Sequence, residues 1–347
     1  GAGGSGGAGG SVVEPPLVFP GETWATTTPE EAGLDGAALA ALSTSLGGEG
    51  CIVRGGALAY CWGDPADDYG TVDAAGPIYT TLLFLAVQEG LIAGLDAPVV
   101  EAEPRLGEIN AALGFKDKNL RWSHLATRTG GYGVAEPPGQ AYVDSGLELA
   151  LFFDTLVLNV YGATYETMNA EVLRKRLGDR LGFEDGPSLS ASGAPEEIGR
   201  LTISIRDMAR VGLLYLRRGR WADGQLVEER FAALPGNDRL PSDFPVTEGL
   251  ASEVIAGQRS LGAPPAPGVT PDHDGSASWY WTANGVDRSG ARRWPDAPAD
   301  TYCALDGDEG VCVMPGLDLV VSFDDVALGG QASQNNIFAQ IAKAVRP

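Results

Sequence analysis

Two pairs of cysteines, one near each end of the chain, most constrain the fold. Cys51 and Cys61 flank a segment with a Gly-Gly turn, and Cys303 and Cys312 flank a segment with an Asp-Gly turn. Both patterns are typical of β-hairpins, in which such spacings place two cysteines opposite each other on paired strands. The even count favours two local disulfides and an oxidising compartment, with four buried free thiols as the alternative.

The order of elements along the chain predicts an α+β fold. Strand patterns lie near both ends, around the cysteine hairpins and over 310–323, whereas the residues between them have helical and loop patterns. The sheet must then be assembled from distant parts of the chain, with a helical insert between them. We expect a flexible Gly-rich tether over 1–20, a sheet lobe from 21–100 and 245–347, and a mainly helical lobe over 101–244.

Composition excludes several classes of partner. The chain has 347 residues, of which 44% are hydrophobic, so it can bury a large core. Its formal net charge of −22 offers no basic patch to nucleic acid or to an anionic membrane surface. No apolar run reaches the roughly 18 residues that a membrane-spanning helix needs. We therefore expect neither a nucleic-acid partner nor a transmembrane segment.

The first residues indicate export. They read Gly-Ala-Gly-Gly-Ser-Gly-Gly-Ala-Gly-Gly-Ser, a composition typical of a flexible tether. One interpretation is a mature bacterial lipoprotein with a lipid anchor on a residue before Gly1, and an engineered linker is the other. Together with the cysteine pairs, the tether favours an exported protein of the bacterial periplasm, cell surface or extracellular space.

Four segments of the chain carry a family resemblance. The first is 71–83, which enters an apolar helix, and the second is 121–133, in which a short helix breaks into a Gly-rich loop. The third is 201–221, with apolar residues at helical spacing, and the fourth is 260–300, notably the part that begins with Trp-Tyr-Trp-Thr at residue 279. In these segments the chain resembles the serine β-lactamase and penicillin-binding-protein superfamily, in its class C β-lactamase and esterase branch. The resemblance covers nearly all of the chain outside the tether. It implies a β-lactamase-like antiparallel sheet flanked by helices, with a helical insert lobe.

The first catalytic motif of the family departs from its pattern in this chain. The family's nucleophile helix opens with Ser-x-x-Lys, but Asp73 and Gly76 stand at the matching positions, and no Ser-x-x-Lys occurs anywhere in the chain. Acyl transfer needs an activated nucleophile and a base. A chain that lacks both is not expected to perform the family's reaction. Asp73 can instead serve as a helix N-cap, for which Asp is among the best residues.

The second and third motifs depart from the family as well. The Tyr-x-Asn motif corresponds here to Asp144 and Gly146, with a serine between them. The third motif, Lys-Thr-Gly or His-x-Gly on an edge strand facing the site, falls near Asp306, Gly307 and Asp308 without matching them. Turn formation is the alternative role of this acidic segment.

A few nearby residues could substitute for the missing groups. Tyr142 precedes Asp144 by two positions and reaches the site only with a shifted loop. Ser145 is a candidate displaced nucleophile, although no lysine stands beside it. Of the two histidines, His124 fits a satisfied core residue, and His273 lies in a loop. A Ser-His-Asp triad has no support from spacing.

The substitutions introduce carboxylates where the family has other groups. If Asp73, Asp144 and one of Asp306, Asp308 or Glu309 converge in one cleft, they repel one another unless one is protonated or a cation joins them. Oxygen ligands suit Ca²⁺, so Asp73, Asp144 and Asp308 are the candidate ligands of a Ca²⁺ ion, and an empty cleft is the alternative. The candidate residues for a small ligand are Asp73, Asp144, Tyr142, Trp279 and Trp281. Tyr280 and Trp294 could line the cleft beside the two tryptophans, and the alternative role of these four aromatic residues is core packing.

The sequence favours a catalytically inactive, exported β-lactamase-like protein that binds a small, cell-envelope-derived ligand or a cation in the cleft. The second hypothesis is a hydrolase of an ester, amide or peptide-like substrate, with Asp73 as base or nucleophile. A structural surface module is the third. Turnover that is lost in Asp73→Ala would favour the second, and saturable ligand binding would separate the first from the third.

Overall fold

A computed structural model gives the structure of residues 17–71, 74–190, 200–260, 262, 264, 267–268 and 270–346. Its strands are β1 (Glu49–Arg54), β2 (Ala57–Trp62), β3 (Asp68–Thr71), β4 (Ser188–Ser190), β5 (Arg200–Ser204), β6 (Arg220–Trp221), β7 (Gly224–Gln225), β8 (Ala277–Ser278), β9 (Trp281–Ala283), β10 (Tyr302–Asp306), β11 (Glu309–Met314) and β12 (Leu319–Asp324). Its α-helices are α1 (Gly36–Leu46), α2 (Gly76–Gln88), α3 (Trp122–Ala126), α4 (Gly146–Phe153), α5 (Asp179–Leu181), α6 (Ile205–Leu216), α7 (Glu229–Ala232), α8 (Leu234–Asn237) and α9 (Gln331–Lys343). The 3₁₀-helices are Val99–Glu101, Pro104–Gly107, Ala111–Leu113, Lys116–Asn119 and Pro315–Leu317, and the π-helices are Asp154–Val160 and Asn169–Gly178.

The largest sheet is antiparallel and has the strand order β2-β1-β12-β11-β10-β9-β8. Its strands come from residues 49–62 and 277–324, so both ends of the chain build one sheet. β3, β5 and β4 form a smaller sheet, and β6 pairs with β7. This antiparallel sheet, flanked by helices, confirms the α+β, β-lactamase-like fold class that the sequence predicts.

Both predicted cysteine hairpins are present, and each is closed by a disulfide. Cys51 lies directly opposite Cys61 in β1–β2, and Cys303 lies directly opposite Cys312 in β10–β11. The two Cα atoms are 4.1 Å apart in each pair, near the roughly 4.5 Å of non-hydrogen-bonded pairs in antiparallel sheets. All four cysteines of the chain are thus bonded, as the hairpin patterns predict.

A hydrophobic cluster lies on each face of the sheet. On one face Leu39 of α1 and Phe338 of α9 pack with Val321 of β12, and on the other Val320 packs with α2 and α6. This alternation along β12 is the period-2 pattern of a strand that is buried on both faces. A Cβ on Gly212 of α6 would lie 2.5 Å from Cγ1 of Val320, so glycine lets this helix lie close to the sheet.

Local sequence explains where the helices that border the site begin. Ser145 caps α4, because its Oγ accepts the backbone N–H of Leu147 at 3.2 Å, and serine is among the best N-cap residues. α2 begins at Gly76, has Ala75 at its N-cap with no side-chain capping bond, and has Pro77 in its first turn. Proline suits this turn because its φ is already helical. Nearly all of α2 is buried, which makes it the central helix of the molecule.

The apolar segment 147–160 changes helical pitch within its length. α4 ends at Phe153, and the π-helix that follows begins at Asp154, whose Oδ2 accepts the N–H of Ser260 at 2.8 Å. Helices of this kind are rare and mark strained or functional segments. None of the helices in the described residues is both long enough and apolar enough to cross a bilayer.

Candidate functional site

Gly76, which stands where the family's lysine would be, lies against the ring of Tyr280. A Cβ built on Gly76 would lie 2.4 Å from Cβ, Cγ and Cδ1 of Tyr280. Close-packed interiors do not tolerate heavy atoms at such a distance, so any larger residue would have to displace the ring. Tyr280 therefore takes the space that a side chain at residue 76 would need. Asp73, the position that matches the family's nucleophile, lies outside the described residues.

Tyr280 reaches Gly76 from the tip of the β8–β9 hairpin, which extends the sheet beyond β10. Trp279 and Tyr280 form its two-residue turn, with φ angles of 47° and 63°. Such turns favour Asn-Gly or Asp-Gly, and left-handed angles cost other residues about 1–2 kcal/mol each. Burial offsets this cost, since the two residues are 4% and 5% exposed. The indole N–H of Trp279 also donates to Asp238 at 2.8 Å.

Arg128 joins Tyr280 to the second motif. Its guanidinium carbon lies 4.7 Å from the centre of the Tyr280 ring, within the range of a cation–π contact. Its Nη1 donates to the Tyr142 hydroxyl and to Oδ1 of Asp144, both at 3.2 Å. The side chains of Arg128 and Asp144 are 18% and 32% exposed, so the ion pair reaches the surface. We call Gly76, Arg128, Tyr142, Asp144 and Tyr280 the Gly76 site.

The two hydroxyl groups beside the Gly76 site form hydrogen bonds with the backbone. Ser145, the candidate displaced nucleophile, is the N-cap of α4 and accepts the N–H of Leu147, and Gly146 is the first residue of that helix. Thr80 donates to the carbonyl of Gly76 at 2.8 Å. In the part of the chain that the structure describes, neither hydroxyl has a hydrogen bond to a base that would activate it. The structure gives both residues local structural roles.

The two histidines also have structural partners. His273 accepts the N–H of Gly275 at Nδ1, at 3.1 Å, which leaves the ring hydrogen on Nε2, 3.0 Å from the carbonyl of Phe244. His124 accepts the N–H of Arg121 at Nδ1, at 3.3 Å. Burial, followed by the charge of Arg121, lowers the pKa of His124. Neither arrangement resembles a catalytic triad, in which histidine bonds a hydroxyl and a carboxylate.

The acidic segment assigned to the third motif forms the turn between β10 and β11. Asp306 ends β10, and Gly307 has a φ of 61°, so glycine serves the turn here. Burial raises the pKa of Asp324 on the neighbouring strand, and nearby carboxylates, including Asp308, raise it further. Among the described residues, no three His, Cys, Asp or Glu side chains form a group that could hold a metal ion. Asp308 lies in this turn, Asp144 pairs with Arg128, and the third proposed ligand, Asp73, lies outside the described residues.

Trp279 and Trp281, proposed as residues that line a ligand site, have their rings in the core. They are 4% and 2% exposed and belong to the cluster between the sheet, α2 and α6. Trp281 packs edge-on against Tyr215 and Tyr302, with ring centroids 4.9 and 5.2 Å apart. The structure therefore gives both tryptophans the alternative role, core packing.

The sequence did not single out Arg128 or Glu148, and it offered Tyr280 only as one of four aromatic residues that could line a cleft. Glu148 of α4 is 1% exposed, and its Oε1 accepts the N–H of Gly130 at 3.0 Å. Burial raises the pKa of Glu148 to about 8, because a low-dielectric interior disfavours the charged form. An acid within a strongly apolar helical run was the signal available for Glu148. Arg128 carries no comparable local pattern.

Several solved structures share the fold across nearly its whole length. A protein assigned as a 6-aminohexanoate-dimer hydrolase from Bacillus anthracis superimposes with a TM-score of 0.62 at 14% identity, over 94% of this chain and 89% of its own. A β-lactamase from Mycobacterium bovis gives 0.55 at 16% identity, over 89% and 97%. A penicillin-binding protein from Bacillus halodurans gives 0.55 at 11% identity, over 88% and 98%. No protein-family model and no curated protein matches the chain.

The chain thus shares the fold of these β-lactamase-like and penicillin-binding-protein structures. This agrees with the resemblance found in its sequence. A fold of this kind hosts many activities, so the site decides the function. Gly76, Asp144 and Gly146 stand at described positions that match the family's catalytic motifs, and none of them is the residue that the family has there.

Proposed function

We propose that this chain is an exported, non-hydrolytic protein of the β-lactamase fold, which acts by binding rather than by turnover. The contact between Gly76 and Tyr280 carries the proposal. A base at residue 76 needs a long side chain and room for it, and a single Cβ there would already be 2.4 Å from the tyrosine ring. Without a base beside it, a nucleophile on this helix would remain unactivated.

The charges of the Gly76 site support binding of an anionic group. Arg128 is partly exposed, and its partner Asp144 is exposed more. A carboxylate of a small, peptide-like ligand from the cell envelope could exchange with Asp144 on this arginine. A cation would instead have to displace Arg128 from Asp144, so the ion pair disfavours Ca²⁺ at this position.

The disulfides support the exported part of the proposal. Both bonds join neighbouring strands of the main sheet. Structural disulfides of this kind persist in oxidising compartments such as the periplasm and the extracellular space.

The absence of a covalent nucleophile can be tested by intact-mass measurement after incubation with benzylpenicillin or a fluorophosphonate. We expect no covalent adduct on the native protein. An adduct that forms on the native protein and is missing from Asp73→Ala would overturn the proposal and would favour a carboxylate-based hydrolase.

Binding at Arg128 can be tested by calorimetry with N-acetylglycine, a peptide-like carboxylate. We expect saturable binding that is lost in Arg128→Gln. Arg346→Gln is the control, because this exposed arginine lies at the end of the chain and pairs with Asp35. Equal affinity in all three proteins would show that the Gly76 site is not the binding site.

A further inference from the structure

A pocket is lined by residues that do not belong to the Gly76 site. It is enclosed by the end of α6, the α7–α8 segment and the start of β10, and its volume is about 260 Å³. Its lining includes Tyr215, Tyr302, Gly236, Arg218 and Asp300. Pockets for drug-sized ligands span about 300–1,000 Å³, so this one suits a smaller molecule.

The floor of the pocket is aromatic and firmly held. Tyr302 is 5% and Tyr215 is 2% exposed, and Trp281 packs edge-on against both rings. The Tyr215 hydroxyl shares a hydrogen bond of 2.7 Å with Thr81 of α2. A floor fixed in this way loses little conformational freedom when a ligand binds, which favours affinity.

The hydroxyl of Tyr302 is a polar group that a ligand could satisfy. Across the described residues no side chain or backbone group forms a hydrogen bond with it, although the residue is buried and lines the pocket. Burial raises the pKa of Tyr302, and Tyr215 and Asp300 raise it further, so the hydroxyl keeps its proton and can donate it. The hydroxyl is not one of the buried, unsatisfied polar atoms of the described residues, so it is open to the pocket, where water or a ligand can accept its hydrogen bond.

Two residues of opposite charge, Arg218 and Asp300, also line the pocket. The Arg218 side chain is 74% exposed and pairs at 3.1 Å with Glu229, which is 63% exposed. Exposed pairs of this kind contribute little, so the guanidinium is available to another anion. Asp300 accepts the N–H of Gly316 at Oδ2. Arg218 also has a φ of 52°, a left-handed angle of the kind that concentrates at functional sites.

We propose that this pocket binds a small zwitterion with an apolar side chain, such as a free amino acid. The ligand carboxylate would pair with Arg218, its ammonium group with Asp300, and its side chain would lie against Tyr302 and Tyr215. A ligand with only a negative charge would leave Asp300 without a partner, and a ligand with only a positive charge would leave Arg218 without one. The site therefore favours a ligand that carries both charges. This site goes beyond the proposed function, which concerns the Gly76 site.

The test is calorimetric titration of the full chain carrying Arg128→Gln, which removes the carboxylate partner of the Gly76 site, with L-leucine, N-acetyl-L-leucine and L-leucinamide. We expect saturable one-to-one binding of leucine, and at least tenfold weaker binding of the two probes that lack one charge. No saturation by leucine, or equal affinity for all three compounds, would overturn the proposal.

Variants locate the binding site. Tyr302→Phe removes only the hydroxyl and should weaken leucine binding about 2- to 10-fold. Asp300→Asn keeps an acceptor for Gly316 but removes the charge, and should weaken leucine more than N-acetyl-leucine. Gly236→Leu should block the pocket, because its Cβ would already lie 3.5 Å from the Tyr302 ring. Lys343→Ala, on the exposed side of α9, is the control, and circular dichroism checks that each variant is folded.

Leucine affinity that is unchanged in both Tyr302→Phe and Asp300→Asn would place the binding elsewhere and overturn the assignment. The outcome is independent of the Gly76 site, since none of these residues belongs to it. A negative result here leaves the proposed function standing, and an adduct with benzylpenicillin leaves this site standing.

Discussion

Replacing Gly76 by alanine tests whether Tyr280 fills the centre of the site. The new Cβ would lie 2.4 Å from the tyrosine ring, about 1 Å inside an ordinary contact. The ring has little room to retreat, because Tyr280 is only 5% exposed. Overpacking of this kind costs about 1–3 kcal/mol, reduced by the up to about 1 kcal/mol that alanine gains over glycine in a helix. We expect Gly76→Ala to lower the free energy of unfolding by about 1–2 kcal/mol.

Tyr280→Gly is the partner substitution in a double-mutant cycle. Alanine would be unsuitable, because the Cβ of Tyr280 itself would clash with the new methyl group, at 2.4 Å. Glycine removes that atom and also suits the φ of 63°. Loss of the buried ring costs about 3–5 kcal/mol, and relief of the left-handed angle returns about 1–2 kcal/mol. We expect a net loss of about 2–3 kcal/mol.

The coupling between the two substitutions carries the test. We expect Gly76→Ala to cost nothing further in the Tyr280→Gly background, so the pair should couple by about 1–2 kcal/mol. Urea unfolding followed by circular dichroism gives each free energy. Gly94→Ala is the matched control, since a Cβ there meets nothing within 4 Å. A cost of Gly76→Ala as small as that of Gly94→Ala, or a cost that is equal in both backgrounds, would show that Tyr280 does not fill the space beside Gly76.

Three further predictions concern charge, disulfides and calcium. Burial raises the pKa of Glu148 to about 8, so the folded state binds this proton more tightly than the unfolded state does. The resulting stabilisation is full below pH 4.5 and is lost as the pH rises to 8. Between pH 5 and 8 the free energy of unfolding of the native protein should therefore fall by up to roughly 4 kcal/mol more than that of Glu148→Gln, measured by urea unfolding at each pH. An equal fall in both proteins would contradict the raised pKa. Removing the first disulfide, by Cys51→Ser with Cys61→Ser, should lower the free energy of unfolding by about 3 kcal/mol, as expected for a loop of this length, and an unchanged urea midpoint would contradict it. The thermal unfolding midpoint should be the same in calcium as in EDTA, because Arg128 already pairs with Asp144. A midpoint that rises saturably with calcium in the native protein but not in Asp144→Asn would support a calcium site instead.

The sheet could be predicted from the sequence because the patterns that mark its strands and turns lie within short segments of the chain. The cysteine hairpins place strands at both ends of the chain, and turn residues such as Gly307 fix their pairing. The helix α6 is likewise visible in its apolar spacing, since Met208 and Val211 are both buried. Where local preference and tertiary structure agree, a pattern in the chain suffices.

The filled site could not be predicted, because it depends on a contact between residues far apart in sequence. Gly76 and Tyr280 meet only when the β8–β9 hairpin is placed over the start of α2. The turn that aims Tyr280 uses Trp-Tyr at left-handed angles, against the preference for Asn-Gly, so burial outweighs local propensity there. Arg128 owes its role to two further partners, Tyr142 and Asp144, which a loop brings to it.

Hydrolysis of a nitrophenyl ester and a chromogenic cephalosporin, with native protein beside Asp73→Ala, tests most directly whether the chain turns a substrate over. We propose that the chain keeps the fold of a serine hydrolase without its turnover, because Tyr280 occupies the space beside Gly76. This proposal predicts that neither substrate is hydrolysed faster by the native protein than by the variant. Turnover by the native protein that Asp73→Ala abolishes would contradict it and would identify a working site built around a carboxylate.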